Sequence, residues 1–231
     1  MEIESLILVG GFSTRMGCPK YMLSIPNLRL RQVSPLLVVL LQQHFEFQTA
    51  RRGQSFSIKI AVRNQQQQEE VHSFLTAQRL PAGIKVAYVR DAYENAGPAS
   101  ALLGAHTSDV RAAWLVTGCD YPLVTVEAFK QLAHAAAASR NAVACFLNES
   151  DFREPLLALW QPMALAVLKT RMEAARLEDR SIGPNSVIKH LSSLGPDMVA
   201  DVTAADAAWL TNMNTMDDWM QICRVLIEPT A

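Results

Sequence analysis

The chain has 231 residues, half of them hydrophobic, and a net charge of −1. This length and composition suit one large domain or two small ones with a sizeable core. So even a charge balance excludes a broad nucleic-acid footprint, so any anion binding must be local. The longest apolar run, Pro35 to Leu41, is far shorter than the ~20 residues that span a bilayer.

In chain order, an apolar strand is expected at residues 5–9, followed by a glycine loop. Residues 44–57 are polar and read as a surface loop, with Gln42 and Gln43 just before it. A strand at 58–62 leads into a helix at 65–77, which Asn64 can cap with Gln67 reaching back. A strand at 84–89 precedes Gly97-Pro98, which opens the next helix. Then come a strand at 113–117, an alanine-rich helix at 126–139, strands at 142–147 and 156–160, a helix at 162–175 and a strand at 198–202. Residues 208–213 read as extended. Thr215 can cap a last helix at 216–228, with Asp218 at its third position. Near-continuous apolar strands alternating with helices predict an α/β fold, three layers deep, with a mostly parallel central sheet. Ligands in such sheets bind beyond the carboxyl ends of the strands.

The stretch Leu6-Ile7-Leu8-Val9-Gly10-Gly11-Phe12-Ser13-Thr14-Arg15-Met16-Gly17-Cys18-Pro19-Lys20 carries the strongest signal. Glycines let backbone N–H groups approach anionic oxygens. Arg15 offers a planar fork and Lys20 a point charge, a pairing suited to a polyphosphate. It is not a P-loop, because Cys18 and Pro19 separate Gly17 from Lys20. Nor is it a dinucleotide fingerprint, because the glycine spacing differs.

Asp120 follows a strand in Gly118-Cys119-Asp120-Tyr121-Pro122, and its hard oxygens suit Mg²⁺. An ordinary turn aspartate before proline is the plain alternative. If 208–213 is extended, Asn212 and Asn214 face the same way and can reach a metal, a ribose or a second substrate. Asp91 can accept two donor hydrogens from guanine or from a ribose hydroxyl pair. Gly97 opens a helix whose amides could face a phosphate, although capping alone explains it equally well. Four cysteines without C-x-x-C spacing give neither a zinc site nor a redox motif. Cys119, next to Asp120, is a weak nucleophile candidate because no histidine is placed beside it. The five histidines read as surface or helix-face residues. The acidic start, Met1-Glu2-Ile3-Glu4, does not read as a secretion signal, so a cytoplasmic protein with no membrane or nucleic-acid partner is expected.

The glycine loop, Asp91 with Gly97-Pro98, Thr117 to Pro122, Glu154 to Leu159, and Asn212-Met213-Asn214-Thr215-Met216-Asp217-Asp218 together resemble the molybdenum cofactor guanylyltransferases, nucleotidyltransferases with the nucleotide-diphospho-sugar transferase fold. The resemblance spans nearly the whole chain. It implies a single domain with a nucleotide half at about 1–125 and an acceptor half at about 126–231. It implies transfer of GMP from GTP to molybdopterin with release of pyrophosphate, and a molybdoenzyme or cofactor-assembly protein downstream. Leu8, Val9, Gly10, Gly11, Ser13, Lys20, Asn64, Asp91, Gly97 and Asp120 would contact the nucleotide. Arg15, Lys20 and Asp120 would be catalytic. Asp120 and Asn214 would hold Mg²⁺, and Asn212, Asn214 and Arg153 would meet the second substrate. Val9 stands where the family usually has alanine, and the stretch after Lys20 lacks the family's glycine turn. Cytidylyl transfer, transfer to a sugar phosphate, and a non-catalytic nucleotide-binding carrier remain alternatives. The presence of Arg15, Lys20, Asp120 and Asn214 argues against the carrier.

Overall fold

The computed structural model describes residues 2–10, 16–27, 32–52, 56–138 and 141–227. Gly11, Ser13 and Arg15 of the glycine loop lie outside the described residues, as do residues 53–55 of the expected 44–57 loop.

Strand β1 (Ile3–Leu8) is buried along its whole length and lies third in a seven-stranded sheet. On one side it pairs in parallel with β4 (Ile58–Val62), which pairs in parallel with β5 (Val86–Arg90). On the other side it runs parallel to β6 (Ala113–Gly118), in register from Ile3 opposite Ala113 to Leu8 opposite Gly118. Beyond β6 come β8 (Arg153–Trp160), β7 (Val143–Leu147) and β9 (Val199–Thr203). Strand β8 is antiparallel to both of its neighbours, and β7 and β9 are parallel. One reversed strand in an otherwise parallel sheet bears out the expected architecture.

Both faces of the sheet are covered, which explains the unbroken apolar runs. Side chains alternate along each strand, so Ile3, Ile7, Ala113 and Leu115 join one core. Leu6, Leu8, Trp114 and Val116 join the other. Helices α1 (Leu36–Arg52), α2 (Gln65–Thr76) and α4 (Val126–Ala138) pack on the first face. Helices α3 (Pro98–Ser108), α5 (Pro162–Leu177) and α6 (Pro184–Leu194) pack on the second. A final helix, α7 (Met216–Ile227), puts Ile222 into the first core. Each fully buried large apolar side chain contributes about 1.5–3 kcal/mol by leaving water. Among the described residues, no helix is long and apolar enough to cross a membrane.

Three expectations need correction. Residues 44–52 are not a surface loop but the second half of α1. Three polar side chains of this helix, Gln43, His44 and Gln48, are buried and make hydrogen bonds. The Gln43 side-chain oxygen accepts the Val126 N–H at the start of α4 (2.8 Å). The Gln48 amide donates to the Ile3 carbonyl (3.0 Å) and the Ser5 hydroxyl (2.9 Å) of β1. His44 is not on a surface: it is fully buried, 3.0 Å from the Thr117 hydroxyl on β6, with its ring against Phe129. Residues 208–213 are not a strand, because Ala207–Leu210 wind into a 3-10 turn capped by Asp206. The stretch after Lys20 forms an antiparallel pair, β2 (Ser24–Asn27) with β3 (Gln32–Pro35). The Trp219 ring N–H of α7 donates to the Ser24 carbonyl of β2 (3.0 Å).

Candidate active site

The crossovers leaving β1 and β5 run over opposite faces of the sheet, so a crevice opens at the carboxyl ends of β1 and β6. The shared register brings these ends level, and the Cys119 N–H donates to the Leu8 carbonyl (3.1 Å).

A cavity of about 470 Å³ lies on the β4–β5 side of this crevice. Leu8, Gly10, Asn64, Asp91 and Gly97, all expected from the sequence, line it together. Val9 is buried beneath, with its carbonyl accepting from the Gln67 amide (3.3 Å). Asn64 caps α2 as expected, taking the Gln67 N–H on its side chain (2.9 Å). Gln67 reaches back one residue further than expected, to the Arg63 N–H (2.8 Å). Burial pushes the Asp91 carboxyl up to about 6, against the pull of the Arg63 guanidinium. Arg63 and Glu94 also line the cavity, and neither is among the residues expected there. Arg63 had one available signal: it sits beside Asn64 where an apolar strand ends. Helix α3 begins at Pro98 behind Gly97, whose φ of +63° lies in the left-handed region. Gly104 lets α3 approach β5 closely, since a Cβ there would lie 2.1 Å from the Arg90 carbonyl oxygen.

On the β6 side of the crevice, charges converge. Lys20 opens a short 3-10 turn, Lys20–Met22. Its Nζ donates to Asn214 Oδ1 (2.8 Å) and lies 3.8 Å from Asp120 Oδ2. The Met213 N–H donates to the Asp120 carbonyl (2.9 Å), tying the late loop to the aspartate turn. Gly118 leaves room for the Asp120 carboxylate, since a Cβ there would lie 2.5 Å from Oδ1 and the carboxylate would have to turn aside. Burial raises the Asp120 carboxyl, and the Lys20 ammonium opposes that rise. The Cys119 thiol is pushed up to about 12, first by burial and then by the Asp120 charge. It is therefore a poor nucleophile.

Beyond Asp120, the Tyr121 hydroxyl donates to Glu154 Oε2 (2.7 Å), and Asn148 donates to Glu154 Oε1 (2.9 Å). Asn212 acts on the Tyr121 hydroxyl and favours its ionised form, so it serves a different partner from Asn214. Arg153, the neighbour of Glu154, sends both arms of its fork to Asp201 on β9 (2.6 and 2.7 Å).

Asp120 Oδ2 and Asn214 Oδ1 are hard oxygens facing one point, now held by the Lys20 ammonium. Such a pair fits Mg²⁺, which takes one or two protein oxygens and completes its shell with water and phosphate. Among the described residues, no group of three His, Cys, Asp or Glu side chains could hold a metal unaided.

A mostly parallel sheet with one reversed strand and helices on both faces is the nucleotide-diphospho-sugar transferase fold. The family follows from the sequence itself: residues 5–194 match the MobA-like NTP transferase domain, and the chain belongs to that family. No sequence among the curated proteins matches this one. Solved structures with the same fold include molybdopterin-guanine dinucleotide biosynthesis protein A from Archaeoglobus fulgidus, with 18% identity, 97% of this chain and 99% of that chain covered, and a TM-score of 0.68. A nucleotidyl transferase from Methanothermobacter thermautotroptrophicus has 12% identity, 99% coverage of both chains and a TM-score of 0.69. The 2-C-methyl-D-erythritol 4-phosphate cytidylyltransferase from Thermus thermophilus has 14% identity, 98% and 100% coverage, and a TM-score of 0.58.

Proposed function

We propose that this chain transfers GMP from GTP to the terminal phosphate of molybdopterin and releases pyrophosphate. The observation that carries this reading is the meeting of Lys20, Asp120 and Asn214 at the edge of the cavity-bearing crevice. In the proposed division, residues up to about 125 hold the nucleotide and the remainder present the acceptor. Asp91 accepts N–H groups from the base, and Asn64 and the Gly97 turn flank the ribose and phosphates. Lys20, with Arg15 from the glycine loop, neutralises the α-phosphate and the departing pyrophosphate. Asp120 and Asn214 would hold Mg²⁺, which when bound supplies further charge neutralisation on the phosphates. An acceptor phosphate oxygen attacks the α-phosphorus, and the bond to the pyrophosphate oxygen breaks. The attacking oxygen is already anionic, so the chain needs no strong general base. Its contribution is positioning and electrostatic stabilisation. Asn212, Tyr121 and the neighbourhood of Arg153 form the acceptor wall.

The test offers molybdopterin and Mg²⁺ with each of the four ribonucleoside triphosphates, reading pyrophosphate and the adduct mass. GTP is expected to give the adduct. A faster reaction with CTP would replace guanylyl by cytidylyl transfer, and triphosphate binding without turnover would support the carrier reading.

A further inference from the structure

The Lys20 ammonium is held by Asn214, and Asn214 is an exposed residue in a loop without regular structure. What fixes that loop is the start of α7. Asp218 Oδ2 accepts two backbone N–H groups, from Asn214 and from Thr215, both at 2.8 Å. In return the Thr215 hydroxyl accepts the Asp218 N–H (3.1 Å), which closes a reciprocal capping box. Capping requires the Thr215 bond. The bond to Asn214 goes one residue further, and it grips the backbone of the residue that grips Lys20. From the other side, the Met213 N–H is tied to the Asp120 carbonyl. The Asn214 backbone is thus clamped between Asp120 and Asp218, with its amide oxygen aimed at Nζ.

We infer that Asp218 is a positioning residue for nucleotidyl transfer, fixing the Asn214 amide oxygen that holds the Lys20 ammonium here and would hold Mg²⁺ in the working complex. This rests on the functional reading above. Asp218 touches no substrate in that scheme, and both of its backbone bonds use one oxygen. An asparagine can place its amide oxygen in the same spot, whereas alanine cannot. Misplacing a charge by about 1 Å can cost on the order of 10²-fold in rate. Asp218→Ala should therefore lower kcat about ten- to a hundredfold with triphosphate KM nearly unchanged, and Asp218→Asn should restore most of kcat. In an Asn214→Ala background, adding Asp218→Ala should cost nothing more, because the connection is already cut. Met220→Gly serves as the control: it weakens α7 from an exposed position outside the capping box, and it should keep wild-type kcat.

Wild-type kcat in Asp218→Ala, an equal loss in Met220→Gly, or no rescue by Asp218→Asn would each overturn the inference. A second readout does not need turnover. In ¹⁵N-lysine-labelled protein, the ammonium signal assigned by its loss in Lys20→Ala should shift in Asp218→Ala and stay in place in Asp218→Asn. If the wild-type chain transfers nothing from any triphosphate, the functional reading fails on its own. The ammonium signal then decides whether Asp218 orients Lys20, and an unmoved signal in Asp218→Ala overturns it.

Discussion

The two sides of the rim are built on different plans. Toward β4 and β5 the crevice is open space, and the Asp91 carboxyl is destabilised there by burial. Toward β6 and β8 the polar groups are already engaged with one another: Lys20 with Asn214, Tyr121 with Glu154, Asn148 with Glu154, and Arg153 with Asp201. The first plan leaves a hydrogen-bonding demand for a ligand to satisfy. The second spends the protein's own bonds on fixing geometry beforehand, which is what electrostatic catalysis requires.

The strongest way to break this contrast is at the preset side. Lys20→Ala and Asp120→Ala should each lose about 10²–10³ in rate, with circular dichroism and melting temperature near wild type. Near-normal pyrophosphate release by either variant would sink the proposed chemistry.

The next effect concerns the buried layer beneath β6. Burial holds the His44 imidazole down at about 3, well below its ordinary 6.5. The unfolded chain takes up that proton as pH falls below 6.5, and the folded chain does not until about 3. His44 therefore withdraws stability as pH falls through that window. Between pH 7.5 and 5 the loss is about 2 kcal/mol, and His44→Gln should abolish that portion in urea unfolding measured at both pH values. Equal pH dependence in the two proteins would contradict it.

A smaller change is expected on the acceptor wall. Tyr121→Phe strips Glu154 of a donor, and a lost bond to such a group costs about 1.5 kcal/mol, or roughly tenfold, in acceptor KM with triphosphate KM unchanged. The reverse pattern would place Tyr121 on the nucleotide side.

The smallest effect sharpens the open side. Because the Asp91 carboxyl sits at about 6, its ionised, accepting form grows as pH rises from 5 to 7. Triphosphate affinity should rise severalfold over that range, and Asp91→Asn should flatten the difference when titrated calorimetrically beside wild type. An identical slope in both would remove Asp91 from the nucleotide contact.

Much of this arrangement was legible in the sequence, because the strands advertise themselves. Residues 58–62 and 113–117 are apolar on both faces, and the loops after such strands must share a rim. That logic brings the loops after β1, β4 and β5 together, and the family resemblance picks out Leu8, Gly10, Asn64, Asp91 and Gly97 on them. Helix α1 was misread because Gln43, His44 and Gln48 spell a loop when letters are counted. Their partners on α4, β6 and β1 are distant in sequence, and only the fold supplies them. The 3-10 turn at Ala207–Leu210 was missed for a related reason: an aspartate cap outweighs a weak extended pattern. The bond from Asp218 to Asn214 could not be read at all, since a capping-box motif announces only its own helix.

The bare α-carbon at position 118 works as a keyway. The gap that receives the Asp120 carboxylate oxygen is the same gap a methyl group would need, so a methyl there would turn the carboxylate out of its present pose. Gly118→Ala should therefore slow nucleotidyl transfer through the aspartate's pose while the melting temperature stays near wild type, and unchanged kcat would show that the carboxylate turns without cost.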